Sequence, residues 1–208
     1  MSPMFFVFLC MLGVFSLLTL AAAGRLLWRR IRLAGSPAHP IPELGQDSRF
    51  SDVLLLLGAA MAWYSVASGW ICQLTIYPIY TDLSAFGQQA FHGFSRGYLS
   101  RLPTIILPLG VLCLAWALLL WVPCRKVSQG IVWAIVCLCL AIVAITPIAA
   151  GAQDQMFDTG FSRDLYNRLM WSNGIRVLLI TIIGLLSLAA MRRRWRFATK
   201  ANHVSEHP

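Results

Sequence analysis

The chain has 208 residues, of which 58% are hydrophobic and 12% charged, and a formal net charge of +9. So few charges exclude an ordinary soluble domain, where about a quarter of residues are charged, and the length leaves room for one domain. The positive balance is expected to meet anionic lipid rather than nucleic acid, because the Lys and Arg residues gather beside apolar runs.

The first run, residues 1–24, carries no charge and is long enough as a helix to cross about 30 Å of hydrocarbon. Its end, "LTLAAAGRL", offers small residues of the kind a signal peptidase accepts. No Lys or Arg precedes the run, however, and Arg25, Arg29, Arg30 and Arg32 follow it. An uncleaved anchor with its N-terminus outside is therefore expected. Residues 25–51 are rich in Pro and charge, lack an apolar period, and read as a basic cytoplasmic linker that sets the first helix somewhat apart.

Charge-free runs recur at 53–81, 102–124 and 127–153, and a shorter one at 177–191 spans if extended upstream through "LMWSNGIR". The expected architecture is all-α: a multi-pass bundle of five transmembrane helices, an N-terminal anchor (1–24) plus a four-helix bundle (52–191), with short amphipathic outer segments and a basic cytoplasmic tail (192–208). With this topology twelve of the 17 Lys and Arg residues lie on the cytoplasmic side. The C-terminus is then cytoplasmic. Expected partners are membrane lipids and another membrane subunit or a second copy, and not nucleic acid. The six cysteines fall in or beside apolar runs and imply no disulfide framework. Cys137 and Cys139, two apart, point to nearly opposite sides of a helix.

On the second helix Gly58, Ala62, Ser65, Gly69, Gln73, Tyr77 and Tyr80 recur at three- and four-residue steps and predict a packing face, since small residues let membrane helices approach. Matching strips are predicted at Ala134, Cys137, Ala141 and Ala144 on the fourth helix and at Asn173, Val177, Thr181 and Gly184 on the fifth. Between the second and third spans, residues 84–100 read as an amphipathic helix on the outer interface, with Gln88, His92 and Arg96 on one side and Phe91, Phe94 and Tyr98 on another. The segment before the last span reads similarly after a break at Gly160.

Polar residues thus gather in the outer half of the bundle, around an expected pocket that opens outward. His92 has the chemistry of a proton carrier, although a single histidine makes no metal site and none is predicted. Arg176, inside the last span, requires a compensating group. Arg101 raises the same question at the start of the third. Pro108 and Pro147 free backbone carbonyls within their helices. Phosphate-binding glycine loops, Gly-x-Ser-x-Gly, His-Glu-x-x-His and Cys-x-x-Cys patterns are all missing from the sequence.

The stretches "GWICQLTIYPIY", "FHGFSRGYLSRL" and "GFSRDLYNRLMWSNGIR", with the prolines between them, resemble a family of small bacterial four-helix membrane proteins distantly similar to anthrone oxygenases. The resemblance covers about residues 69–188 through Gln73, Tyr77, Pro78, His92, Arg101, Pro108, Pro147, Gly160, Phe161, Leu169, Asn173 and Arg176. Two positions depart from the pattern: Ala149 stands where a histidine often follows the proline, and Gly174 where a tryptophan often follows the asparagine.

The expected pocket walls are Gln73, Tyr77, Arg101 and Asn173 as ligand-binding residues, with His92 and Arg176 as candidate catalytic groups. The first expectation is a membrane protein that binds a lipid, a quinone-like molecule or a partner subunit. Under an oxygenase-like alternative His92 moves a proton and Arg176 stabilises a phenolate. Small-solute transport is a third reading, and no cofactor is specified by the sequence.

Overall fold

The computed structural model describes residues 3–33, 49–122, 124 and 127–205. All regular structure among them is helical: α1 (Pro3–Leu33), α2 (Arg49–Ile71), α3 (Tyr77–Ala85), α4 (Gln88–Trp121), α5 (Gln129–Thr159) and α6 (Arg163–Ser205). Four stretches are long and apolar enough to cross a membrane: Arg49–Ala85, Thr104–Trp121, Gln129–Thr159 and Arg163–Trp195. In α1 the apolar stretch among the described residues is the shorter Cys10–Arg25.

The helices α2, α4, α5 and α6 surround one core. Small residues on α2 permit the closest approaches, because a Cβ on Gly58 would lie 2.8 Å from Trp116 Nε1 of α4, and one on Gly69 would lie 3.0 Å from Val177 Cγ2 of α6. Across the same seam Trp70 Nε1 donates to Thr181 Oγ1 at 3.2 Å. The strips predicted on α2 and α6 are therefore the ones used: Gly58, Ala62, Ser65, Asn173, Val177 and Gly184 are all buried.

The strip predicted on α5 is not. Ala134, Cys137 and Ala144 are exposed, and Val132, Ile135, Val136, Cys139 and Ile142 face the core instead. Both faces of this helix are apolar, so no hydrophobic period marks the inner one, and bulk that fills the core prevailed over small residues that permit contact.

Between α2 and α3 the helix continues through one wide turn, Cys72–Ile76, where the Tyr77 N–H donates to the Cys72 carbonyl. Pro78 supplies the reason, since it has no N–H for the Leu74 carbonyl and its ring crowds that carbonyl. The turn has a directional effect. Four-residue steps along an α-helix drift by about 40° each, and one extra residue in a turn offsets the following face by about 100°. Here the offset opposes the drift and keeps Tyr77 and Tyr80 buried.

The outer amphipathic segment is not a separate helix. A break at Phe86 and Gly87, the latter at φ +90°, ends α3, and α4 then runs for 34 residues without interruption. Its first third keeps the predicted sidedness in part, with Phe91 and Tyr98 buried and Gln88 exposed. Gly160, at φ +93°, separates α5 from α6 in the same way.

Nor does α1 stand apart. Phe15 is fully buried in the core cluster, Trp121 Nε1 of α4 donates to the Leu18 carbonyl at 3.2 Å, and the Arg25 guanidinium lies 5.6 Å from the Trp121 ring centre. The helix also continues through Leu33, beyond the boundary expected at residue 24; the remainder of the expected linker, 34–48, lies outside the described residues. Likewise α6 extends past Met191 through Ser205. One ion pair fastens the bundle at this end: Arg194 Nε and Nη2 meet Asp52 Oδ1 and Oδ2 at 2.7 and 2.6 Å.

Candidate functional site

Toward the α3 end the core divides. A cavity of about 120 Å³ lies among α2, α4, α5 and α6, with Ser65, Cys72, Tyr77, Tyr98, Gln153 and Arg176 as its polar wall and Leu109, Val177 and Ile180 in its apolar part. Above it, Tyr80, Phe91, Met156 and Phe157 form a buried layer in which Tyr80 stands edge-on to Phe91 at 5.5 Å and to Phe94 at 5.8 Å. This layer packs at the α3 end of the cavity, where Phe91 turns inward and is buried.

Among its described lining residues Ala150 alone is exposed, while Leu102, Ile105, Ile106 and Thr146 on α4 and α5 are half-buried, as are Ser68, Gly69 and Arg176 on α2 and α6; the mouth is assigned to the side of Ala150, between α5 and α4. Ala149 and Ala150, just past Pro147, leave the space that larger side chains would fill.

Arg176 enters from α6, 13 residues after the helix starts, about 20 Å along its axis. The neighbours within electrostatic reach are Tyr77, Tyr98 and Cys72. Its Nε is enclosed and has no hydrogen-bond partner. Ser65 Oγ, on a residue only 3% exposed, is likewise without a partner. Among the described lining residues none is Asp or Glu, so these contribute one positive charge, on the half-buried Arg176, and no negative one. The other polar groups are better satisfied. Gln153 Nε2 donates to Tyr80 Oη at 3.0 Å, and the Tyr98 hydroxyl lies 4.0 Å from Cys72 Sγ.

Of the residues predicted for the site, the structure brings Tyr77, Asn173 and Arg176 together on the wall. Gln73 stands behind it: its Oε1 accepts from Asn173 Nδ2 at 2.8 Å and its Nε2 donates to the Met170 carbonyl at 3.3 Å, so the amide joins α2 to α6 and is not a cavity wall. His92 packs on the aromatic layer, 6.4 Å from the Phe91 ring centre, and does not line the cavity. Arg101 is exposed on α4. The two candidate catalytic groups are thus separated, His92 outside the cavity and Arg176 inside it. Among the described residues no group of three or more His, Cys, Asp or Glu side chains could hold a metal ion.

Cys72, Tyr98 and Gln153 were missing from the predicted site. Gln153 ends a charge-free run, where an amide reads as an interface residue, and only the inward rotation of α5 shows otherwise. Tyr98 was visible on an aromatic stripe, but a stripe does not say whether it faces lipid or protein.

No family model, curated protein or solved structure matches this chain. The comparisons thus lend no support to the family resemblance expected from the sequence, and the residues on which it was expected divide. Tyr77, Asn173 and Arg176 line the cavity, whereas His92 and Arg101 lie outside it. Ala149 is also on the wall.

Proposed function

We propose that this chain is a bacterial inner-membrane protein with five spans, α1 included, its N-terminus outside and its C-terminus cytoplasmic, and that it binds a lipid-soluble small molecule in the cavity of its outer half. A quinone-like ring or a lipid fragment has the required chemistry, a polar end on an apolar body. Arg176 carries this reading. An arginine inside a span costs about 2.5–3.5 kcal/mol at mid-membrane unless it is compensated, and here the enclosed Nε has no protein partner. Ser65 Oγ adds an unmet hydrogen bond on the same wall, worth about 1–3 kcal/mol when a buried group is left unpaired. A ligand that satisfies both is the economical solution, and the mouth on the apolar flank suits one that arrives through the bilayer.

The oxygenase-like reading has less support. An apolar cavity of about 150 Å³ holds one benzene ring. At about 120 Å³ this cavity would have to widen for a three-ring substrate, and His92 does not reach it. Transport requires a path through the Asp52 end, where Leu112, Trp116, Ile135 and Ile183 are fully packed.

Native mass spectrometry of the full chain released from nanodiscs tests the proposal. The expected result is a noncovalent small-molecule adduct that Arg176→Gln removes while the variant still elutes as folded protein. A wild-type chain without an adduct, which also binds no quinone or phenol added back, would count against it. For topology, Gln89→Cys is expected to label from outside in intact cells.

A further inference from the structure

The cavity wall also specifies the charge of what fills it. We infer that the ligand is a monoanionic carboxylate on a single ring or single chain, held with Arg176 as its counter-ion and with its apolar body leaving between α4 and α5. This rests on the reading of the cavity as a ligand site and adds a class of ligand to it.

Four observations converge on that class. First, the described lining residues carry one guanidinium and no carboxylate, so a neutral ligand leaves the half-buried Arg176 charge, with its enclosed Nε, uncompensated and a dianion leaves an excess negative one. Second, the unpaired Arg176 Nε–H belongs to the planar fork that matches a carboxylate, the geometry of the strongest charge-assisted hydrogen bonds. Third, the enclosed volume of about 120 Å³ has room for a carboxylate with one ring or a short length of chain and not for a phosphodiester head together with its glycerol backbone. Fourth, the exposed Ala150 and the half-buried Leu102, Ile105 and Ile106 form an apolar exit from the cavity, which suits an apolar body running from a head at Arg176 toward the bilayer.

Ser65 fits the same arrangement. Gly69 packs on Val177, which fixes the register of α2 against α6, and Ser65 lies one turn of α2 deeper than that contact, while Arg176 sits one residue from it on the other side. Counted along the two helix axes, the two residues are thus offset by about 7 Å along the bundle, using the rise of an α-helix. A head on Arg176 and a second polar atom of the ligand, or an ordered water, on Ser65 would satisfy both.

The test compares isosteres that differ in charge. The full chain in nanodiscs of neutral lipid is dialysed against 4-butylbenzoate and against 4-butylbenzamide, with decanoate and decanamide as a chain-shaped pair, and binding to empty nanodiscs is subtracted. Each carboxylate is expected to bind at least about tenfold tighter than its amide, as one charge-assisted hydrogen bond would give. Arg176→Gln should abolish that preference, and Arg176→Lys should keep part of it. The comparison within the wild-type chain needs no variant, so a misfolded substitution does not spoil it. Equal binding of carboxylate and amide would overturn the anion inference and leave the ligand site standing. Binding of neither member of either pair would remove both. Preference for only the ring or only the chain supports the inference and identifies the body.

Discussion

Gly58→Ala tests whether the packing of α2 on α4 is as close as described. The added methyl would sit 2.8 Å from Trp116 Nε1 and 3.2 Å from Cε2, and Trp116 is fully buried, so the ring has nowhere to go without moving α4. Overpacking of this kind costs about 1–3 kcal/mol, against which alanine gains about 1 kcal/mol in helix propensity over glycine. The net expectation is a loss of up to about 2 kcal/mol. A graded series makes the reasoning stricter. Gly69→Ala, with Val177 Cγ2 at 3.0 Å, should lose less, because a valine methyl yields more easily than an indole; Gly184→Ala, at 3.3 Å from Val66, should be near neutral; and Gly93→Ala, with nothing within 4 Å, should gain up to about 1 kcal/mol. Reversible unfolding in mixed micelles, followed by tryptophan fluorescence, reads the order. Adding Trp116→Phe to Gly58→Ala should recover part of the loss. If Gly58→Ala proves as stabilising as Gly93→Ala, the close approach of the two helices is wrong.

Three further outcomes are expected. A double-mutant cycle of Asp52→Asn and Arg194→Gln in the unfolding assay should give a coupling of about 1 kcal/mol: the pair is bidentate, but its side chains are 41% and 19% exposed and partly screened. Asn173→Leu should cost about 0.6–2 kcal/mol, the range for hydrogen bonds between membrane helices, by removing the bond to Gln73; Gln73→Leu should cost at least as much because it also releases the Met170 carbonyl. Ala150→Trp, at the mouth between α4 and α5, should slow carboxylate exchange in stopped-flow displacement at least about tenfold without lowering the unfolding midpoint, since the position is exposed; unchanged exchange would place the route elsewhere.

The sequence made some of this legible because composition is sufficient where only length and apolarity matter. Four of the spans are of that kind. The faces of α2 and α6 were readable because each mixes small or polar residues with large apolar ones, as in Gly69 against Ile71 or Asn173 against Trp171. On α5 the same reasoning failed, since Ala134 and Ile135 are both at home in lipid and neither announces which way it points. The docking of α1 was hidden for a related reason: Phe15 and Leu18 look alike whether they meet a neighbouring helix or a lipid tail. The site suffered most from small rotations. Gln73 lies beside the cavity and Cys72 on its wall, a difference of one residue within a turn whose widening is hinted at only by Pro78. His92 and Arg101 share a polar segment with Tyr98, yet only Tyr98 turns inward, because α4 is continuous and its direction is set by the core far below.

That continuity has a mechanical side in α6. The helix passes unbroken from Arg176 at the cavity to Arg194 at the opposite end of the bundle, 18 residues and about 27 Å away. Over that length a tilt of about 5° at the cavity displaces Arg194 by about 2 Å, nearly the 2.6 Å that separates it from Asp52. The Asp52 ion pair therefore resists tilting of a rod whose other end borders the cavity, so stiffness at one end of the bundle is felt at the other.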